Sequence, residues 1–116
     1  MFELPKAIIL RRQRDFQLFY DCGSQYVDRY LVMYVLKTDE LSGMAGFAAG
    51  KKLGCAVVRN RLKRLMREAY RLHRRELKPH TAVLLVGRRA LIGEKFQTAE
   101  RSFLNLAKRA NILLEQ

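Results

Sequence analysis

Residues 57–77 read "VVRNRLKRLMREAYRLHRREL", and the way this stretch divides its residues decides the fold. At about 100° per residue on an α-helix, Val58, Leu62, Leu65, Met66, Ala69, Leu72 and His73 fall on one stripe. Opposite them lie Asn60, Lys63, Arg64, Arg67, Arg71, Arg74 and Lys78. Arg59 and Arg61 flank the first turn, and Arg75 sits on the margin. From Arg59 to Lys78 there are nine Lys/Arg against two Glu, a net +7 out of the chain's +12. One flank therefore asks for an apolar neighbour and the other for an anionic one.

A solvated helix face normally mixes signs, because Glu four residues before Lys or Arg adds local stability. Glu68 and Glu76 cannot balance this one. Arg outnumbers Lys seven to two in the segment, and its planar fork suits bidentate contact with phosphate.

On either side of this helix, expected over about 56–77, the pattern changes period. Before it, "YLVMYVLK" is rich in Val, Tyr and Leu and predicts a strand. "TDELSG" predicts a turn, and "MAGFAAGKK" a second strand returning antiparallel to the first. Pro79 lies just past the helix end. "TAVLLVGRR" is then a continuous apolar run, expected as a strand buried on both faces. Near the start, Asp15 can cap a short helix through "DFQLFYD", stopped by Gly23. At the end, "EKFQTAERSFLNLAKRANILL" repeats apolar residues at Phe96, Ala99, Phe103, Leu106 or Ala107, Ala110 and Leu113 or Leu114, an amphipathic helix. The order predicts an α+β fold: a compact α/β sandwich with a small mixed sheet and three helices. The segment from Phe47 to Val86 predicts a strand-helix-strand crossover between neighbouring parallel strands.

With 116 residues, 49% of them hydrophobic, the chain fits a single domain over 1–116 with one modest core. No linker or repeat divides it. The longest apolar stretches fall far short of the roughly 18 to 20 residues needed to cross a bilayer, and "RRQRD" follows "PKAIIL" where a secretory signal needs small residues. The expectation is a cytoplasmic protein with reduced thiols at Cys22 and Cys55.

A net +12 and a pI near 10.3 call for an anionic partner. A membrane-surface helix would need the same apolar stripe that the strands claim as their core, which disfavours membrane. A helix-in-groove DNA binder usually dimerises through a second face, and none is evident. RNA is favoured. Phe16 and Tyr20 stand four apart on the first helix, and Tyr30 and Tyr34 are expected on one face of the first long strand. Such rings stack unpaired bases when exposed and fill the core when not; the pattern leaves both open. No catalytic constellation, metal-ligand spacing or phosphate-cradling loop is visible.

"GKKLGCAVVRNRLKRLMREAY" resembles the signature of the bacterial ribonuclease P protein component: Lys-Lys, a Gly, Ala-Val, then Arg-Asn-Arg-x-Lys-Arg-x-x-Arg. Here those residues are Lys51, Lys52, Gly54, Ala56, Val57, Arg59, Asn60, Arg61, Lys63, Arg64 and Arg67, and looser agreement runs through nearly the whole chain. The resemblance implies a left-handed crossover, against the usual rule. It implies a subunit of a ribonucleoprotein that cleaves the 5′ leader from precursor tRNA, with catalysis and Mg²⁺ carried by the RNA and no catalytic or metal-binding residues on this chain. Lys51, Lys52, Arg59, Asn60, Arg61, Lys63, Arg64, Arg67 and Arg71 would bind the catalytic RNA. Phe16, Tyr20 and Tyr34 would line the cleft for the single-stranded leader. Two departures stand out: Ala49-Gly50 where the family often has Val-Ser, and Cys55, a weaker helix cap than the usual polar residue.

Overall fold

The computed structural model describes residues 8–114. Helix α1 (Gln13–Cys22) leads into β1 (Ser24–Val27) and β2 (Leu31–Lys37). Strand β3 (Ala45–Ala48), helix α2 (Ala56–His73), strand β4 (Thr81–Gly87) and helix α3 (Phe96–Arg109) follow. The four strands form one sheet in the order β1-β2-β4-β3. β4 is central, and all its residues but Val86 are buried. That is the place its unbroken apolar run requires, because only a strand flanked on both sides and covered on both faces hides every side chain.

The central position of β4 corrects one expectation. Residues 45–48 do not return antiparallel to β2; they pair parallel with β4, Ala45 opposite Val83 and Phe47 opposite Leu85. β4 occupies the slot that a simple hairpin would have filled. The antiparallel neighbour of β2 on its other side is β1, a strand too short and polar to show in the sequence. The β3-α2-β4 crossover between parallel neighbours is as expected.

Period-2 alternation sorts the two faces. Leu31, Met33 and Val35 of β2, Ala45 and Phe47 of β3, and Val83 and Leu85 of β4 meet α2 and α3 in the main core. From the helices come Leu62, Met66, Ala69 and Tyr70, and Ala99, Phe103, Leu106 and Ala107. On the other face Ala82 and Leu84 pack with Leu10 and Phe19, with Phe16, Tyr34 and Leu36 half-buried around them. α1 thus covers part of that face and leaves the rest accessible.

The stripe of α2 is turned slightly from the expected one. Tyr70 is buried, its hydroxyl donating to the Gly43 carbonyl at 3.1 Å, whereas Leu72 is 48% exposed. An aromatic body with a polar tip can be buried where the tip finds a carbonyl. The α-helix also ends at His73, continuing as a tighter turn over Arg74–Glu76. Tyr30, expected beside Tyr34, instead packs against the α2/α3 core. It lies before β2 in a turn fixed by Asp28, whose Oδ1 accepts the Tyr30 and Leu31 amides at 2.8 and 2.9 Å.

Candidate nucleic-acid interface

The start of α2 is set by a glycine that no other residue replaces cheaply. Gly54 has φ +142°, and a Cβ there would lie 3.3 Å from the Val58 side chain. Cys55 follows as the N-cap in an extended conformation, its sulfur a weak acceptor that forms no full capping hydrogen bond. Its exposed thiol is held below its ordinary pKa, chiefly by the Val58 and Val57 amides and more weakly by Arg59.

From this point the cationic face unrolls. Asn60, Arg64 and Arg67 are exposed and Lys63 half-buried, on the side away from buried Leu62, Met66 and Ala69. Arg64 has no hydrogen-bond or ion-pair partner among the described residues, and Arg67 holds its guanidinium 5.8 Å from the Phe47 ring. Arg61 donates to the Glu94 carbonyl at 2.6 Å, which orients the side chain without cancelling its charge. The Nε of Arg59 is buried without a hydrogen-bond partner among the described residues. Arg71 differs: its Nε and Nη2 grip both carboxylate oxygens of Glu68, and this ion pair holds the Glu68 carboxyl below the usual range.

Lys51 and Lys52 are exposed in a tight turn over Lys51–Leu53, between β3 and α2. Arg89, just after β4, donates to the Lys52 carbonyl at 3.2 Å. Arg88 and Arg89 therefore join the same end of the sheet, although nothing in the sequence singled them out. Their neighbourhood with Lys52 exists only because β4 and β3 lie side by side.

The three aromatic candidates come together. Phe16 sits half-buried under α1, beside the fully buried anchor Phe19. Tyr20 is 45% exposed, and its ring meets Tyr34 edge-on with centroids 5.1 Å apart. Partial burial, helped by Tyr34, holds the Tyr20 hydroxyl above its ordinary pKa. Beside Tyr34 a cross-strand row of Val27, Val32, Val86 and Ala48 continues the floor, all at least partly exposed. These small residues extend the apolar surface beside the rings and carried no sequence signal apart from alternation. The row ends at Ala48, three residues before Lys51 and Lys52 begin the turn into α2.

Among the described residues no group of three or more His, Cys, Asp or Glu side chains is placed to hold a metal ion. Nor is any helix long and apolar enough to cross a membrane.

A family model described as Ribonuclease P matches residues 4–111. The ribonuclease P protein component of Clostridioides difficile is 36% identical over 104 residues, covering 89% of this chain and 91% of that protein. Among solved structures, the RNase P protein of Staphylococcus aureus superposes with TM-score 0.83 at 26% identity, over 94% of this chain and 100% of the other. The RNase P protein of Thermotoga maritima gives 0.77 at 29% identity, over 92% and 97%.

Proposed function

This chain belongs to the ribonuclease P protein family, and from that premise we propose how it serves as the protein component of a ribonuclease holoenzyme. The helix α2 docks on the catalytic RNA. The cleft between α1 and the sheet guides the single-stranded 5′ leader of precursor tRNA. The RNA, in the cytoplasm, performs the hydrolysis. The observation that carries this reading is the exposed Asn60–Arg64–Arg67 face, backed by buried Leu62 and Met66 and free of any carboxylate between Arg59 and Arg67.

Folded RNA that must dock another RNA faces phosphate repulsion at every contact. A rigid helix presenting fixed guanidinium groups lowers that repulsion at one junction, and each group forms charge-assisted bonds to phosphate. Lys51 and Lys52 extend the cationic surface to the mouth of the cleft. There Phe16, Tyr20 and Tyr34 offer rings on which unpaired bases stack, a sequence-tolerant contact. The role of this chain is to hold and orient. Mg²⁺ takes oxygen-rich cages and phosphates, and in this reading the phosphates of the RNA hold it.

Two measurements test the reading. If about six cationic side chains meet phosphates, log affinity for the catalytic RNA falls against log salt with a slope of about −4 to −5; a slope near zero contradicts the docking role. With the catalytic RNA present, precursor tRNA is expected to bind more tightly than mature tRNA, and Tyr34→Ala to shrink that preference. Equal affinity for both substrates removes the leader from the cleft.

A further inference from the structure

A second cationic centre lies at the opposite edge of the sheet from β3, around the turn joining β1 to β2. Arg29 and Arg101 are exposed there. Arg88 donates through Nη1 to the Asp28 carbonyl at 2.6 Å, and Arg109 through Nη1 to the Val27 carbonyl at 2.8 Å. Both acceptors are neutral, so neither arginine loses its charge.

Between the turn and α3 is a cavity of about 400 Å³, lined by Arg29, Tyr30, Thr98, Arg101 and Asn105, with Asp28 and Ser102 at its base. Asp28 is the only carboxylate lining it, and the fold already uses that group. Its Oδ1 holds two backbone amides, and its Oδ2 accepts the hydroxyl of buried Ser102 at 2.5 Å. What remains open toward solvent is a cation above a ring, with Arg29 5.7 Å from the Tyr30 centroid. A second cation, Arg101, and a primary amide, Asn105, stand on α3. A stacking surface, two guanidinium groups and an amide are the components that bind one unpaired nucleotide: base on the plane, phosphate between the cations, amide on the base edge. The volume falls within the range of sites for molecules of that size.

The centre is also joined to the turn that precedes α2. The Arg88 amide donates to the Tyr30 carbonyl at 2.9 Å, and Arg89 reaches the Lys52 carbonyl. Lys52, Arg89, Arg88 and Arg29 therefore follow one another along one end of the sheet. We propose that the cavity between the β1–β2 turn and α3 is a second RNA-contact site, holding an unpaired nucleotide on the Arg29–Tyr30 pair with its phosphate between Arg29 and Arg101. This rests on the reading that the chain works bound to RNA, and adds a contact outside α2 and the α1 cleft.

The test compares two double variants of the full chain, Arg29→Gln with Arg101→Gln and Arg64→Gln with Arg67→Gln. Affinity is measured first for the catalytic RNA alone, then for precursor tRNA added to the assembled complex. Neither Arg29 nor Arg101 makes a hydrogen bond or ion pair among the described residues, so thermal melting should fall only slightly, by the loss of the exposed Arg29–Tyr30 contact. The corner variant is expected to bind about tenfold more weakly, with a salt slope shallower by about 1.5 to 2. Loss on the catalytic RNA alone makes the nucleotide part of that RNA; loss only with precursor makes it the substrate's. If the α2 variant binds weakly while the corner variant matches the unaltered chain in both arms, the second site is overturned and the docking role stands. If neither variant has an effect, the docking role fails and takes the second site with it. A photo-crosslinker on Thr98→Cys, which lines the cavity without holding the nucleotide, in a Cys22→Ser, Cys55→Ser background, should label RNA in the complex; no RNA adduct overturns the site independently.

Discussion

The two halves of α2 use the same residue type for opposite ends. From Arg59 to Arg67 there are five cations and no acid, and none of the five forms an ion pair among the described residues. From Glu68 onward the basic groups are answered by acids. Arg71 grips Glu68. His73 lies between Glu76 at 2.5 Å and Glu100 of α3 at 2.8 Å. Two carboxylates facing both ring nitrogens suit only the doubly protonated imidazolium, since a neutral ring has one donor. Charge in the first half is left for a partner, and charge in the second half fastens α2 to itself and to α3.

That contrast breaks most visibly under substitutions that separate folding from binding. The largest effect belongs to the fastened half: Phe103, fully buried, meets the rings of Tyr70 and His73. Phe103→Ala should cost about 3–5 kcal/mol of stability, read by denaturant unfolding, while the salt slope of the remaining folded protein stays unchanged. Next comes the open half. Arg64→Glu with Arg67→Glu should weaken binding to the catalytic RNA on the order of 100-fold at physiological salt, with the melting temperature nearly unchanged. A comparable loss of stability would show that these side chains belong to the fold.

A smaller effect follows pH. Burial pulls the His73 pKa down, but Glu100 and Glu76 outweigh it and hold the group above its ordinary value. A raised folded pKa means the contribution is fully present below about 6.5, the unfolded value, and is lost as pH rises through the folded pKa. Stability should therefore decline as pH rises from about 6.5 through the raised folded pKa, and His73→Gln should flatten that decline. RNA affinity measured over the same range should not follow it. The smallest effect is a gain. Cys55→Ser at the uncapped N-cap should add about 0.5–1 kcal/mol, and a melt that does not rise would mean the first-turn amides are already satisfied.

What the sequence made legible was whatever a single element encodes in its own period. The split of α2 into buried Leu62 and Met66 against exposed Arg64 and Arg67 needs only the helical repeat. The burial of β4 on both faces needs only its unbroken apolar run. Which strand lies beside which is not local information. The parallel pairing of β3 with β4, the hairpin of β1 with β2, and the turning of Tyr30 into the main core all depend on partners many residues away. Arg88 and Arg89 were missed for that reason: they approach Lys52 and the β1–β2 turn only once β4 takes the central place. Tyr70, which the helical repeat assigned to neither flank, is buried because a carbonyl from a distant loop, at Gly43, receives its hydroxyl.

Gly46 has a consequence beyond packing. A Cβ there would lie 3.0 Å from Leu10 and Leu84 side-chain carbons, so its absence lets Leu10 settle on the sheet and donate its amide to the Ala45 carbonyl at 2.8 Å. That contact occupies the free border of β3, while the other border is β1, only four residues long. Unsatisfied strand borders are the usual templates for amyloid-like self-association. With one border occupied and the other short, copies of this chain have little backbone on which to stack, even where an RNA scaffold neutralises the mutual repulsion that otherwise keeps them apart.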